Sequence, residues 1–441
     1  MKKLLLLAAL FSITLGASSQ IVTGIKAEYH HGQTFVTWKV IPNYTYRFYY
    51  VYRYDSPITD ANKNSATYMG KVLENFSLNY FLNLGIFGGP IVKDSFYMVI
   101  NNDPWTQLDS TDGFIAVTCT KEKTYYYAVT ADSTVGAGPL ENKRMVPASN
   151  ATTTGIAEHV APIEAYLQVT GIPLEDNANL LYDGYCMFGT NQKTEYTPLM
   201  ANEACFANNF GLIKDLDFST PKNACTFFFY GGGGNAFDNA NGTNVDAMWK
   251  VSMEDDLPNF NWDALGGENT KWIGYNENFD VYNANQFSAF PTTGIDRTYT
   301  IARVKWTLDW VKREFPNDID TTQIAMQGSS NGCTGALTMA YLYPDLISAV
   351  DVTNAKFNVE YLGDPNKKCK WNANGTSRNR ANIYLGEQAT NLQSDIPKIK
   401  DVGYYGLYDF ANFNNLIQDN KYNSLPVIFV TSGKSDDVTC W

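Results

Sequence analysis

The chain has 441 residues, of which 44% are hydrophobic and 18% are charged, and its formal net charge is -12. This composition is typical of a globular protein and excludes a mainly disordered chain. The excess of acidic residues argues against a nucleic-acid-binding protein, which needs a basic surface. The length favours two or three domains.

The first 19 residues have the pattern of a secretory signal peptide. Lys2 and Lys3 precede an apolar run over residues 4–15, and Ala17 and Ser19 are the small residues expected before a cleavage site. The run is short for a transmembrane helix. We therefore expect cleavage near residue 19 and a bacterial protein that is secreted or periplasmic, with no membrane association after cleavage.

Cysteine and histidine are few in this chain. The odd number of cysteines leaves at least one thiol without a partner in the chain. The sequence has no Cys-x-x-Cys or His-Glu-x-x-His spacing, so it predicts no zinc site and no cofactor, although a calcium site made of carboxylates alone stays open. The seven cysteines are at positions 119, 186, 205, 225, 333, 369 and 440, and the three histidines at 30, 31 and 159.

Residues 20–147 show the alternation of apolar and polar residues that is typical of β-strands. Trp38, the run 50–53 (YVYR) and the run 125–131 (YYYAVTA) resemble strands B, C and F of a fibronectin type III domain. The resemblance implies an all-β sandwich, with an insertion between about residues 70 and 115. We expect the aromatic side chains to fill its core. An exposed aromatic platform for carbohydrate is the alternative.

The second half of the chain begins after a segment that has no helix-like or strand-like spacing of apolar residues. Residues 148–162 (ASNATTTGIAEHVAP) are small and polar, which indicates a linker that contains His159. Beyond it, short apolar runs alternate with amphipathic helical patterns, which predicts an α/β domain with a doubly wound, mostly parallel sheet. The predicted strands include 224–230, TTQIAMQ, ISAVDV and LPVIFVTSG, and the clearest helix is TIARVKWTLDWVKREFP, which Pro316 ends.

The segment QGSSNGCTGALTMA, residues 327–340, places a Gly-x-Ser-x-Gly motif between a predicted strand and a predicted helix. A nucleophile elbow has this arrangement, because the sharp turn lifts the serine hydroxyl above the sheet and the helix N-terminus favours an oxyanion. Side chains at Gly328 and Gly332 would collide with the neighbouring strand and helix. The sequence therefore predicts Ser330 as a nucleophile. The alternative is a small residue in a crowded turn.

Four glycines directly follow the predicted strand 224–230. Because glycine has no Cβ, the backbone amides at 231–234 can turn toward a ligand. We expect the amides of Gly232 and Gly233, together with that of Asn331, to form an oxyanion hole. The alternative is a flexible glycine linker.

The predicted acid follows the last apolar strand, residues 425–431. Gly433 comes next, and Asp436 stands three residues later. A carboxylate in this place would hold a catalytic histidine in the correct tautomer and stabilise its cation. Asp437 is the alternative acid.

From about residue 220 the chain resembles the α/β-hydrolase superfamily, and GSSNGCTGALTMAYLYPDLISAV is similar to secreted esterases related to polyhydroxybutyrate depolymerases and feruloyl esterases. The resemblance implies an α/β-hydrolase domain over residues 163–441 with a cap within about 355–420. It also implies a cofactor-free serine esterase acting on acylated polysaccharide or polymer esters. A prolyl-oligopeptidase-like peptidase and a non-catalytic binding protein on the same fold are the alternatives.

One member of the implied triad has no counterpart in the sequence. The chain order in this fold is serine, acid, histidine, yet no histidine follows Asp436. We expect that the sequence is incomplete at its C-terminus and that the 441-residue chain alone has little activity. A histidine should follow within about 25 to 70 further residues. A disulfide between Cys333 and Cys369, which would tie the cap to the elbow helix, is a further hypothesis.

Overall fold

The structure is a computed structural model. The signal-peptide segment, Gly233, Cys369 and Asp436 lie outside the residues that it describes. Those residues are 21–42, 48–79, 96–132, 140, 143–174, 177–215, 222–232, 234, 236, 248–257, 269–282, 288–355, 357, 381–421 and 423–433.

The described residues contain strands along the whole chain and helices only in its second half. The strands are β1 (Thr23–His30), β2 (Gln33–Lys39), β3 (Phe48–Tyr54), β4 (Thr67–Leu73), β5 (Asp112–Thr118), β6 (Lys123–Asp132), β7 (Ile156–Glu158), β8 (Ala165–Leu174), β9 (Asn177–Gly189), β10 (Phe206–Asp215), β11 (Asn223–Phe229), β12 (Met248–Ser252), β13 (Tyr275–Asn276), β14 (Asp296–Arg297), β15 (Ile319–Ser329), β16 (Ala349–Thr353), β17 (Gln393–Pro397), β18 (Tyr404–Gly406) and β19 (Val427–Thr431). The helices are α1 (Tyr299–Glu314), α2 (Gly332–Leu342), α3 (Ala381–Leu385), α4 (Leu407–Phe410) and α5 (Phe413–Asp419), with short 3-10 turns at Lys63–Ser65 and Pro344–Leu346.

The N-terminal part consists of two antiparallel sheets with strand orders β1-β2-β5 and β4-β3-β6-β7. Trp38 lies on the second strand, Tyr50 on the third and Tyr127 on the sixth, and all three side chains are buried. Aromatic side chains thus fill the interior, as the alternating pattern predicts. Between β4 and β5 the described residues form turns and isolated bridges.

The segment 148–162 is folded into this N-terminal part, which differs from the linker that we expected. Strand β7 within it pairs with β6, and the carboxylate of Glu158 is buried. This carboxylate accepts hydrogen bonds from Thr34 Oγ1 (3.1 Å), Arg53 Nη1 (3.0 Å) and the Tyr127 hydroxyl. The composition of the segment gave no sign of this, because these partners lie on distant strands.

The second half of the chain is built on a large mixed sheet with the order β8-β9-β10-β12-β11-β15-β16-β19. The strands from β12 to β19 in this order are parallel to one another, and β8, β9 and β10 add antiparallel pairs at one side. The helix α1 precedes the central strand β15, and α2 follows it. The predicted α/β class with a mostly parallel sheet, preceded by separate antiparallel sheets, is confirmed.

A small sheet with the order β13-β14-β17-β18 joins residues 275–297 to residues 393–406. The later strands and α3 to α5 belong to the segment in which we expected a cap, and residues 358–380 of that segment lie outside the described residues. Among the helices that the structure describes, none is long and apolar enough to cross a membrane.

Buried apolar residues of the two halves belong to common clusters. One cluster contains Phe48 and Tyr50 of β3 together with Phe227 and Phe229 of β11. A second cluster extends from the sheet β1-β2-β5 to Phe188 of β9. The N-terminal part and the large sheet therefore share interior contacts.

Candidate active site

The predicted elbow lies between the central strand and the helix that follows it. Strand β15 ends at Ser329 and α2 begins at Gly332, so that Ser330 and Asn331 make the whole turn. Ser330 has φ +52°, in the left-handed region, which costs a non-glycine residue about 1–3 kcal/mol. Its N–H donates to the carbonyl oxygen of Thr353 on β16 (2.9 Å), and the residue is partly exposed. The neighbouring strand β16 thus holds Ser330 in a strained conformation at the carboxyl end of the central strand β15.

Close packing explains the two glycines of the motif. A Cβ on Gly332 would lie 2.0 Å from the carbonyl oxygen of Phe229, and a Cβ on Gly328 would lie 2.5 Å from the carbonyl oxygen of Gly332. Both contacts are with backbone atoms, which have no side-chain freedom to move away. Side chains are therefore excluded where α2 starts against the ends of β11 and β15.

The described residues Gly231, Gly232 and Gly234, which we call the glycine loop, follow β11, and Gly231 lies against the elbow. A Cβ on Gly231 would be 3.4 Å from both Ser330 Cβ and the carbonyl oxygen of Ser329. The N–H of Gly234 donates to the carbonyl oxygen of Gly231 (3.3 Å), which closes a turn. Gly232, Ser330 and Asn331 thus all lie beyond the carboxyl ends of the parallel strands β11 and β15. Asn331 is the N-cap residue of the 11-residue α2.

The predicted acid follows a strand close to the elbow. Strand β19 runs parallel to β16, which runs parallel to β15. The carboxyl ends of the three strands therefore lie at the same end of the sheet. The N–H of Gly433 donates to Asn354 Oδ1 (3.2 Å) at that end. Asp436 and its alternative Asp437 follow within four residues but lie outside the described residues.

The three histidines lie in the N-terminal part of the chain, before the large sheet begins. His30 ends β1, His31 is in the turn that follows, and His159 follows β7. The Nδ1 atom of His159 lies 2.6 Å from Glu122 Oε2. None of the three therefore lies on the strands or loops that form the elbow.

The Cys333 thiol on α2 is free and buried. It donates to the carbonyl oxygen of Thr353 (3.1 Å), and burial raises the pKa of Cys333 to about 12. The hypothesis of a disulfide from Cys333 to Cys369 is therefore wrong for this structure, because the thiol is directed at a backbone carbonyl. Cys369 itself lies outside the described residues.

A group of three acidic residues, Glu254, Asp255 and Asp256, was not singled out from the sequence. They follow β12, which lies next to β11 in the sheet, after the single residue Met253, and all three are buried. We call them the acidic cluster. Glu254 Oε1 accepts a hydrogen bond from the Tyr230 hydroxyl (2.6 Å), and Asp256 Oδ1 accepts one from Asn269 Nδ2 (2.7 Å). The only signal in the sequence is the run of three consecutive acidic residues itself.

Burial raises the pKa of all three carboxyl groups of the acidic cluster, that of Asp255 to about 7. For Asp256, the charge of Glu254 and the hydrogen bond between the two groups raise the pKa further, while the same hydrogen bond lowers the pKa of Glu254; the Tyr230 hydroxyl lowers the pKa of both groups. Asp256 is thus the group that retains a proton, and Glu254 is the better hydrogen-bond acceptor.

A mostly parallel sheet whose central strand leads through a serine turn into a helix is the arrangement of the α/β-hydrolase fold. Within the residues that the structure describes, no group of three His, Cys, Asp or Glu side chains is placed to hold a metal ion.

No protein-family model matches the chain, and no curated protein matches it. Solved structures show a distant likeness. The fluorophosphonate-binding serine hydrolase F of Staphylococcus aureus is 11% identical over 57% of this chain and 79% of that chain, with a TM-score of 0.34. The S-formylglutathione hydrolase from Agrobacterium tumefaciens is 11% identical over 60% and 89%, with a TM-score of 0.35. Esterase B from Lactobacillus rhamnosis is 14% identical over 52% and 62%, with a TM-score of 0.33.

Proposed function

We propose that the protein is a serine hydrolase that cleaves carboxylic esters through an acyl-enzyme, with Ser330 as the nucleophile. The observation that carries this proposal is the conformation of Ser330. A non-glycine residue at φ +52°, held by Thr353 and packed against the glycine loop, stores strain in the backbone at the turn between β15 and α2. Strain of this kind persists where the surrounding structure enforces it, and it concentrates at functional sites.

The proposed reaction uses Ser330 and the groups that the sequence predicts around it. The oxygen of Ser330 attacks the ester carbonyl, and the amides of Gly232, Gly233 and Asn331 donate to the negative oxygen of the tetrahedral intermediate. The alcohol then leaves, and water hydrolyses the acyl-enzyme. The proton of Ser330 passes to a histidine oriented by Asp436 and from it to the leaving alcohol. No histidine follows Ser330 in the sequence, so activity is to be measured on the product of the complete gene, including any residues encoded after Trp441.

The proposed substrates are esters on acylated polysaccharides or related polymers. The similarity of residues 328–350 to secreted esterases supports this class, and the signal-peptide pattern of residues 1–19 supports a secreted or periplasmic location. We also propose that the N-terminal part is fibronectin type III-like, supported by its sheets of three and four antiparallel strands.

A fluorophosphonate probe tests the proposal. The full-length protein should be labelled at Ser330, as located by peptide mass, and the Ser330→Ala variant should not be labelled. Hydrolysis of p-nitrophenyl acetate in preference to a prolyl p-nitroanilide would support an esterase, and the reverse preference would identify the peptidase alternative. Absence of labelling in a folded full-length protein would leave a non-catalytic binding protein on this fold.

A further inference from the structure

The glycine loop is fixed at its start by Tyr230. The hydroxyl of this fully buried residue donates to Glu254 Oε1 (2.6 Å) and accepts from the N–H of Asp255 (2.9 Å). Its carbonyl oxygen accepts from Trp272 Nε1 (3.2 Å), and the two rings pack edge to face at 5.0 Å. Both the side chain and the backbone of the residue before Gly231 are therefore held in place.

Asn269 borders the glycine loop at its second residue. Its Oδ1 lies 3.7 Å from the position that a Cβ on Gly232 would occupy. Its Nδ2 donates to Asp256 Oδ1 (2.7 Å), and Asn269 and Asp256 also form an isolated antiparallel bridge. The carboxyl group of Asp256 thus fixes the amide group that lies beside Gly232.

The middle member of the acidic cluster fixes the segment that carries these contacts. Asp255 Oδ2 accepts from the N–H of Trp272 (3.0 Å), and Asp255 Oδ1 accepts from the Thr270 hydroxyl. Thr270 also contacts the Thr300 hydroxyl (2.6 Å), which accepts from the buried guanidinium of Arg303 (2.8 Å). The acidic cluster is therefore connected to α1 through hydroxyl groups.

Burying three neighbouring carboxyl groups carries a large desolvation free energy, and apolar side chains in the same place would avoid it. Each of them is used to hold a group that borders the glycine loop or the segment beside it. The contacts converge on the loop that lies against Ser330. This convergence is the reason to connect the cluster with the site.

We propose that Glu254 and Asp256 are positioning residues, which hold the glycine loop against Ser330 through Tyr230 and Asn269 and so keep its amides aimed at the oxyanion. The inference depends on the proposed function of Ser330. Contacts with the oxyanion strengthen in the transition state, so a displaced loop lowers kcat and leaves KM nearly unchanged. A misplacement of about 1 Å at such a site can cost roughly 100-fold in rate.

The test uses Tyr230→Phe and Asn269→Ala in the full-length protein, with matched controls. Tyr127→Phe removes another buried tyrosine hydroxyl that donates to a buried glutamate, Glu158. Fluorophosphonate labelling taken to completion counts the competent Ser330 sites, so kcat is expressed per labelled site.

The second control, Asn276→Ala, breaks another buried pair, in which Asn276 Nδ2 donates to Asp296 Oδ1 (2.8 Å). We expect Tyr230→Phe and Asn269→Ala to lose about 10- to 100-fold in kcat per site with KM within about twofold. Both controls should stay within about twofold of the wild type. Glu254→Gln keeps an oxygen that accepts from Tyr230, so it should lose less than Tyr230→Phe.

The outcomes separate the two proposals. If the wild type is labelled and hydrolyses esters, but Tyr230→Phe and Asn269→Ala behave like their controls, the positioning role is wrong and the proposed function stands. If the folded wild type is not labelled at Ser330, the proposed function itself fails. Should Asn269→Ala not fold, Tyr230→Phe, which removes one oxygen and keeps the ring, decides the question together with Glu254→Gln.

Discussion

Gly332→Ala is the substitution that the elbow should tolerate least. The new Cβ would lie 2.0 Å from the oxygen of Phe229, 2.5 Å from its carbonyl carbon and 2.6 Å from the oxygen of Tyr230. Carbon and oxygen atoms in weak contact stay about 3.3 Å apart, so α2 must retreat by about 1 Å from β11. A gap of this size removes roughly a quarter to a half of the dispersion energy between α2 and β11. We expect the free energy of unfolding to fall by about 3 kcal/mol, the upper end for overpacked sites.

The assay is urea unfolding at 25 °C, followed by tryptophan fluorescence. Gly231→Ala is the control, because its nearest atoms, on Ser329 and Ser330, would be at the ordinary distance of 3.4 Å. This control should stay within about 0.5 kcal/mol of the wild type. Equal unfolding midpoints for Gly332→Ala and Gly231→Ala would refute the argument from backbone contact.

Three further predictions follow from the geometry and burial of single residues. Ser330→Gly should be more stable than Ser330→Ala by about 1 kcal/mol, because glycine adopts φ +52° without a strained Cβ; equal melting temperatures in calorimetry would contradict the strain. Burial raises the pKa of Asp296 to about 8, so the wild type should lose stability as the pH rises from about 4 to 8, because the carboxyl ionises in the unfolded chain while the folded protein keeps it protonated. Asp296→Asn lacks this loss, so its melting temperature relative to the wild type should rise across that window, and a constant difference would count against the assignment. In the 441-residue chain produced alone, Phe429→Lys, on a strand where Val427 and Val430 are also exposed, should reduce self-association in light scattering without lowering the melting temperature.

Local patterns predicted the elements around Ser330 well. The apolar run at 224–230 corresponds to β11, the amphipathic stretch before Pro316 to α1, and the motif at 327–340 to the end of β15 and the start of α2. These features depend on neighbours in the sequence, because burial on both faces of a strand or on one face of a helix sets the local spacing of apolar residues. The fold class followed from their alternation.

Local sequence patterns did not predict the contacts between residues that are far apart in the chain. The run Glu254–Asp256 has the composition of a solvated turn, since acidic side chains are seldom buried. Its burial depends on Tyr230 and Asn269, which are 24 and 13 residues away from their acidic partners. Strand β7 was missed for a similar reason, because the partners of Glu158 come from three other strands. In each case a polar group is buried because distant donors satisfy it.

The apolar cluster that joins β3 to β11 has a practical meaning for anyone who cuts or recombines this protein. Deleting the first 160 residues would expose the buried apolar residues that contact β3, next to the strand β11 that leads into the glycine loop. The remaining chain would then carry a large apolar surface in contact with solvent. A foreign sandwich grafted in its place would need matching side chains on the contacting face. The two halves therefore form one interior, and removal of the whole N-terminal half should disturb the serine turn of the second half.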